Sequence, residues 1–191
     1  MTPSPALVPA SDTALLVIDV QESFRQRPIW AEVSDPDIVA HVDELIAQAR
    51  DLGHDVVWVL HSEPGSGSVF DPAQGHVRVV EGLAPRPGEA VFTKTSRNAF
   101  TTTGLGQHLQ QRGIRNIVVS GIQTEQCCET TARVGADLGY DVTFVTEATA
   151  TFPITRPDTG EVLPTDAVIE RTEFALAGRF ARIATRETAF G

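Results

Sequence analysis

The sequence predicts an α/β fold, a parallel β-sheet with helices on both faces. Three observations predict it. Short apolar runs rich in β-branched residues recur along the chain, nearly every one followed by a segment with helical spacing. The strand-like runs are apolar almost throughout rather than alternating, as expected for strands covered on both sides. Glycine closes most of the helical segments, where a left-handed C-terminal cap is needed.

Thr13 to Val20 (TALLVIDV) reads as a buried strand stopped by an acid. Ile38 to Leu52 carries Ile38, Val42, Leu45, Ile46 and Ala49 at helical spacing and closes at Gly53. Asp55 to Leu60 is a second strand and Glu89 to Thr93 a weaker third. Leu105 to Arg112 is a helix ended by Gly113, and Asn116 to Ser120 a fourth strand. Glu125 to Leu138 is a helix closed by Gly139, and Asp141 to Val145 a fifth strand. Thr165 to Ala177 is a helix capped by Gly178, and Ala181 to Thr185 a sixth strand. One connection breaks the rhythm. His61 to Gly88 is long and rich in Gly and Pro, and is expected to be a flap over a site.

The 191 residues suit one domain, spanning 1–191, with a sizeable core. A formal net charge of -10 argues against nucleic acid and against an anionic membrane surface as partners. No apolar run reaches the roughly 18 residues of a membrane span. Met1 to Pro9 lacks the basic region and apolar core of a signal peptide. The two cysteines are neighbours, a poor disulfide framework. The expected compartment is the cytoplasm and the expected partner a small molecule.

In open α/β sheets, sites form at the carboxyl ends of strands, near the point where strand order reverses. The first strand ends in Asp19-Val20-Gln21, the third leads to Lys94, and the fourth leads through Gly121 to Cys127 and Cys128. Taken singly, each has an ordinary role: a turn-capping acid, a solvated lysine, a buried cysteine. Together they are an acid, a base and a thiol at three strand ends. Thr124 is expected to cap a helix start whose dipole lowers the pKa of a thiol in its first turn. Spacing separates the cysteines. Cys128, Ala132 and Ala136 form a row of small residues suited to packing on the sheet, while Cys127 lies about 100° away, toward the crevice.

These residues resemble the isochorismatase-like cysteine hydrolase family, which includes amidohydrolases related to N-carbamoylsarcosine amidohydrolase and nicotinamidase. The resemblance runs from about Thr13 to Ala184. "LLVIDVQESF" is similar to the opening strand with its catalytic aspartate, here Asp19, and the glutamine after it, here Gln21. "VFTKTSRNAF" is similar to the segment bearing the catalytic lysine, here Lys94. "GIQTEQCCETTA" resembles Gly-x-x-Thr-x-x-Cys-x-x-x-Thr-Ala, with the nucleophile at Cys127. The resemblance implies a three-layer α/β/α sandwich with a six-stranded parallel sheet in the order 3-2-1-4-5-6. It also implies a cis peptide at Ile122-Gln123 that turns the Gln123 amide hydrogen into the site, and a homo-oligomer, dimer or tetramer, in which a neighbour often completes the flap.

The chemistry such a triad supports is hydrolysis of a carbon–nitrogen bond in a small amide, carbamoyl or imide-like compound. Cys127 attacks, Asp19 moves protons, Lys94 stabilises charge, and the amides of Gln123 and Cys127 form an oxyanion hole. No cofactor is expected. A metal is not expected either: the metal-binding branch of the family has Asp-x-His after the second strand, and here that place reads His61-Ser62-Glu63-Pro64, with His76 further along. Gln21, Phe24, Trp30, Phe70 and Phe100 are candidate substrate-binding residues. Arg25, Arg27 and Arg97 are within reach of a carboxylate but are expected to be mainly solvated. Three other readings fit these residues less well: an isochorismatase-type vinyl ether hydrolase, which needs an acid rather than a thiol; a catalytically silent binding protein, which has no chemical reason to keep all three groups; and a redox protein, for which the Cys-x-x-Cys spacing is missing.

Overall fold

The computed structural model describes residues 11–191; Met1 to Pro9, read above for a signal peptide, lies outside the described residues. Strands β1 (Thr13–Ile18), β2 (Asp55–His61), β3 (Ala90–Lys94), β4 (Asn116–Ile122), β5 (Asp141–Ala150) and β8 (Arg182–Ala184) form one parallel sheet in the order β3-β2-β1-β4-β5-β8. The expected order therefore holds. The sixth sheet strand is the eighth in the chain because β6 (Ile154–Thr155) and β7 (Val162–Leu163) form a separate antiparallel hairpin.

Helix α2 (Ile38–Asp51) covers one face and α3 (Leu105–Gln111), α4 (Glu129–Asp137) and α5 (Thr165–Leu176) the other. Strand β1 shows why. Leu15 and Val17 join the core beneath α2, while Ala14, Leu16 and Ile18 join the core beneath the other helices. A strand buried on both faces needs an apolar side chain at every position, which accounts for its unbroken run. Short helix α1 (Glu22–Arg25) and a 3₁₀ turn (Pro28–Glu32) follow β1; neither is visible as periodicity because each is a single turn.

The expected elements recur with shifted ends, and β5 runs five residues further than its apolar core, to Ala150. Gly135 explains the closeness of α4 to the sheet, since a Cβ there would stand 2.6 Å from Ile117 Cδ1. Cys128 and Ala132 are fully buried on the same helix face. The helix start differs from expectation. Thr124 to Cys128 form a π turn preceded by Gln123, and Thr124 makes no cap: its hydroxyl donates to Thr149 Oγ1 at 2.9 Å. A wide turn carries the chain from β4 into α4, and the buried threonine pair ties it to β5.

The sheet order reverses between β1 and β4, so the crevice lies beyond their carboxyl ends. Gly121 makes the approach possible. Its φ is +128°, and a Cβ there would stand 1.9 Å from the Ile18 carbonyl oxygen. Only glycine lets β4 run this close to the end of β1, one residue before Asp19.

Candidate active site

Asp19 follows β1 with φ +54°, in the left-handed region that aspartate tolerates better than most residues. Its N–H donates to the Val59 carbonyl at 2.7 Å, which fixes the turn. Lys94 ends β3, two strands away; at about 4.8 Å per strand it must reach roughly 10 Å across β2. It does so with its whole stem buried. Nζ donates to Asp19 Oδ2 at 2.7 Å, to Cys127 Sγ at 3.3 Å and to His61 Nδ1 at 3.4 Å. Asp19 and Lys94 are 0% exposed and Cys127 5%. Lys94 is also the single lysine of the chain.

Asp19 and Cys127 floor a cavity of about 400 Å³, with Lys94 buried beneath them, and its walls include Phe24, Arg27, His61, Phe70, Arg97 and Gln123. The structure brings Asp19, Lys94, Cys127, Gln123, Phe24 and Phe70 together here. It does not bring in Gln21, Trp30 or Phe100. The Gln21 amide is consumed by the protein: Nε2 donates to Ser23 Oγ and the His61 carbonyl, and Oε1 accepts from the His61 N–H at 2.7 Å. Gln21 thus clamps the ends of β1 and β2 together. Trp30 packs against Phe152, and Phe100 stacks on Tyr140 at 5.8 Å. Cys128 is turned into the core beneath the helices. A larger cleft, about 1020 Å³, opens at the amino ends of β1, β4 and β5 and is lined by none of the expected site residues.

The long connection after β2 is anchored where it passes α1. Val80 N–H donates to the Val20 carbonyl at 3.1 Å, Glu22 N–H to the Arg78 carbonyl at 3.0 Å, and Ser23 Oγ to the His76 carbonyl at 2.9 Å. Its earlier part supplies Glu63, Ser68, Val69 and Phe70 to the cavity wall.

Electrostatics departs from the helix-dipole expectation. Burial pushes the Cys127 thiol up to about 12, the negative charge of Asp19 adds to this, and Lys94 opposes it. Burial likewise raises Asp19, with Lys94 pulling against it. Asp19 Oδ1 has no hydrogen-bond partner among the described residues. Burial, then the Lys94 charge, lower His61, which is therefore neutral at neutral pH. Its Nδ1 faces an ammonium and must accept, so the ring hydrogen sits on Nε2, 3.3 Å from Glu63 Oε1. Burial acts to raise Glu63, but contacts with His61 and Ser68 prevail and hold it below the ordinary range.

By sequence alone His61 and Glu63 stand out only as candidate metal ligands. Among the described residues no cluster of three or more His, Cys, Asp or Glu could hold a metal ion. The chance to see their other role lay in the register, which pairs His61 with Lys94 across β2 and β3.

The isochorismatase domain matches residues 13–181. The chain belongs to the isochorismatase family. Isochorismatase-family relatives include streptothricin hydrolase of Streptomyces noursei, 32% identical over 85% of this chain and 59% of that protein. Ureidoacrylate amidohydrolase RutB of Stutzerimonas stutzeri is 27% identical over 77% of this chain and 73% of its own. The crystal structure of a cysteine hydrolase from Pseudomonas syringae pv. phaseolicola superposes with TM-score 0.83 at 26% identity, covering 98% of this chain and 96% of that one. This member of the isochorismatase family is accordingly a hydrolase. No helix among its described residues is long and apolar enough to cross a membrane.

Proposed function

We propose that this protein is a cysteine-dependent hydrolase that cleaves a carbon–nitrogen bond in a small amide, carbamoyl or imide-like compound through a thioester. One observation carries the reading. A buried ammonium lies 2.7 Å from a carboxylate and 3.3 Å from a thiol, and the carboxylate and thiol line the floor of a cavity. Burying such an ion pair is costly and seldom favours stability over an apolar substitute, so its presence beside a thiol argues for chemistry.

With the thiol near 12, Cys127 is neutral in the free protein at pH 7. The thiolate forms as it reacts. Asp19 takes the Sγ proton on the oxygen that has no other partner, while sulfur bonds to the substrate carbonyl carbon. The carbonyl oxygen gains charge facing the backbone N–H groups of Gln123 and Cys127; one such donor is typically worth about 3 kcal/mol. Asp19 returns the proton to the leaving nitrogen as the C–N bond breaks. It then takes a proton from water, whose oxygen attacks the thioester, and gives it back to the departing sulfur. Lys94 keeps Asp19 from drifting toward the protonated form and faces the sulfur as charge develops there. No step requires a metal or cofactor. Two relatives named for hydrolysis, one of them an amidohydrolase, are consistent with this chemistry.

The test is release of ammonia or amine across a panel of small amides, carbamoyl compounds and imides. Turnover by the unmodified protein, lost in Cys127→Ala and retained in Cys128→Ala, is the expected result. Equal turnover by both variants would remove the thiol from the mechanism.

A further inference from the structure

Two arginines of the cavity wall take no part in the chemistry above. Arg27 and Arg97 both line the cavity floored by Asp19 and Cys127. Among the described residues some arginines are paired, Arg50 with Glu89, Arg112 with Asp55 and Arg133 with Glu129, and others such as Arg78 and Arg115 are not; what sets Arg27 and Arg97 apart is that they are the two on this cavity. Neither Arg27 nor Arg97 has a carboxylate within 4.0 Å among the described residues. Arg27 lies over two rings instead, 5.8 Å from the centroid of Phe24 and 5.4 Å from that of Phe152, which are themselves stacked at 6.1 Å. Aromatic faces orient a guanidinium while leaving its N–H edge unpaired. The Arg97 side chain has a single polar contact, Nη1 to His61 Nε2 at 3.3 Å. Since that ring nitrogen carries the hydrogen, the guanidinium keeps its donors for something else.

The charges of the site can be counted. Asp19 and Lys94 cancel. Arg27 and Arg97 against Glu63 leave one positive charge at the cavity wall, in a chain of formal net charge -10. A positive cleft on an acidic protein concentrates anions there.

We propose that the substrates are amides or carbamoyl compounds bearing one carboxylate, which Arg27 and Arg97 grip while the carbonyl meets Cys127. This rests on the hydrolase reading. A neutral substrate would displace water from half-buried Arg27 and from the cavity side of exposed Arg97 without giving their donors a partner, which costs binding. One carboxylate brings the wall to neutrality, and its planar pair of oxygens matches the guanidinium fork. The cavity, about 400 Å³, is at the small end of ligand sites, about 300–1,000 Å³. It suits a short compound with the amide at one end and the carboxylate at the other.

The experiment compares matched pairs: succinamate with butanamide, and N-carbamoylglycine with ethylurea. Turnover is measured on the unmodified protein, Arg27→Gln, Arg97→Gln and each Arg→Lys. Binding of the same compounds is measured by calorimetry on Cys127→Ala at low and high salt, with melting curves to verify folding. The unmodified protein should prefer the carboxylate member in kcat/KM by about ten- to a hundredfold, the range expected of charge-assisted hydrogen bonds. Each Gln variant should lose most of that ratio and each Lys variant recover part of it. On Cys127→Ala, the carboxylate member should bind more tightly, and high salt should erase the difference. Amide turnover with no carboxylate preference, or a preference indifferent to both arginines, overturns the inference and leaves the hydrolase reading standing. Salt-sensitive, arginine-dependent binding without turnover of any amide supports the anion site and overturns the hydrolase reading instead.

Discussion

At the scale of the residue, the site turns on a thiol that burial holds protonated and a lysine that partly offsets burial. Iodoacetamide should therefore alkylate Cys127 slowly at pH 7, with a rate that climbs as pH rises toward about 12. A rate already at its plateau below pH 8 would mean a preformed thiolate and a different mechanism. Lys94→Met should move that profile still higher, because Lys94 lowers the thiol. The same substitution strands the Asp19 carboxylate in the core and should cost about 3–5 kcal/mol in urea unfolding. Adding Asp19→Asn should return much of that stability but no turnover. Equal destabilisation in the single and double variants would show that the lysine stem, not the charge, is what the core misses. Asp19, Lys94 and Cys127 were legible as strand-end residues, and Lys94 carried a second sign as the one lysine among 15 cationic residues. The thiol's environment was not legible, because desolvation depends on everything packed around a group while the helix-start argument sees only local backbone. For the same reason Phe100 and Trp30 sounded like pocket residues: sequence proximity to a motif does not say which side of the backbone an aromatic ring faces.

At the scale of the element, one glycine governs how β1 and β4 meet. Gly121→Ala would require a methyl group to stand 1.9 Å from the Ile18 carbonyl oxygen at a φ that L-residues disfavour. Neither backbone can yield without displacing Asp19, which begins where Ile18 ends, or Gln123, two residues past the glycine. The variant should lose more than about 4 kcal/mol or fail to fold, a cost in the exceptional class for a single substitution. Gly135→Ala is the contrasting case, since its nearest contact is the movable end of the Ile117 side chain, and it should lose less. Comparable melting temperatures for the two variants would refute the distinction. The parallel sheet covered on both faces was legible because apolar run, glycine cap and apolar run repeat with few exceptions, while its strand order came from the resemblance of the strand-end motifs. The π turn over Thr124–Cys128 was not, since threonine before an acidic first turn has the composition of an ordinary cap. What the sequence could not display was Thr149, 25 residues on, as a competing partner for the Thr124 hydroxyl. The connection after β2 was expected from composition to be a flap; the structure places its Glu63 and Ser68 to Phe70 on the cavity wall, and its anchorage through Arg78, Val80 and His76 rests on hydrogen bonds to their backbone that composition does not encode.

At the scale of the whole molecule, the buried charges make folding stability depend on pH in opposite directions. Asp19 has a folded pKa raised above its unfolded value, so the folded protein holds that proton more tightly. Its contribution favours the fold at low pH and weakens as pH rises past the unfolded value of about 3.9. His61 and His54 are lowered, each first by burial. Below their unfolded value of about 6.5 the unfolded chain takes up protons that the folded protein resists, so stability falls as pH drops from there. Glu63 is also lowered, but it acts only below the ordinary carboxylate range. In the window from about pH 6.5 down to pH 5 the two histidines lower stability as pH falls, while raised Asp19 pulls the other way, so His61 is isolated by difference. His61→Asn removes the group that would otherwise bring a positive charge within 3.4 Å of the Lys94 ammonium. In urea unfolding across that window, the stability of the unmodified protein relative to His61→Asn should fall as pH falls, the contributions of His54 and Asp19 being common to both. Turnover should follow the same dependence, since an imidazolium at that place competes with Lys94 for Asp19 and repels the ammonium from the thiol. Parallel curves for the two proteins between pH 5 and 7 would mean that His61 is not held neutral by its surroundings, and would detach it from the lysine that orders the site.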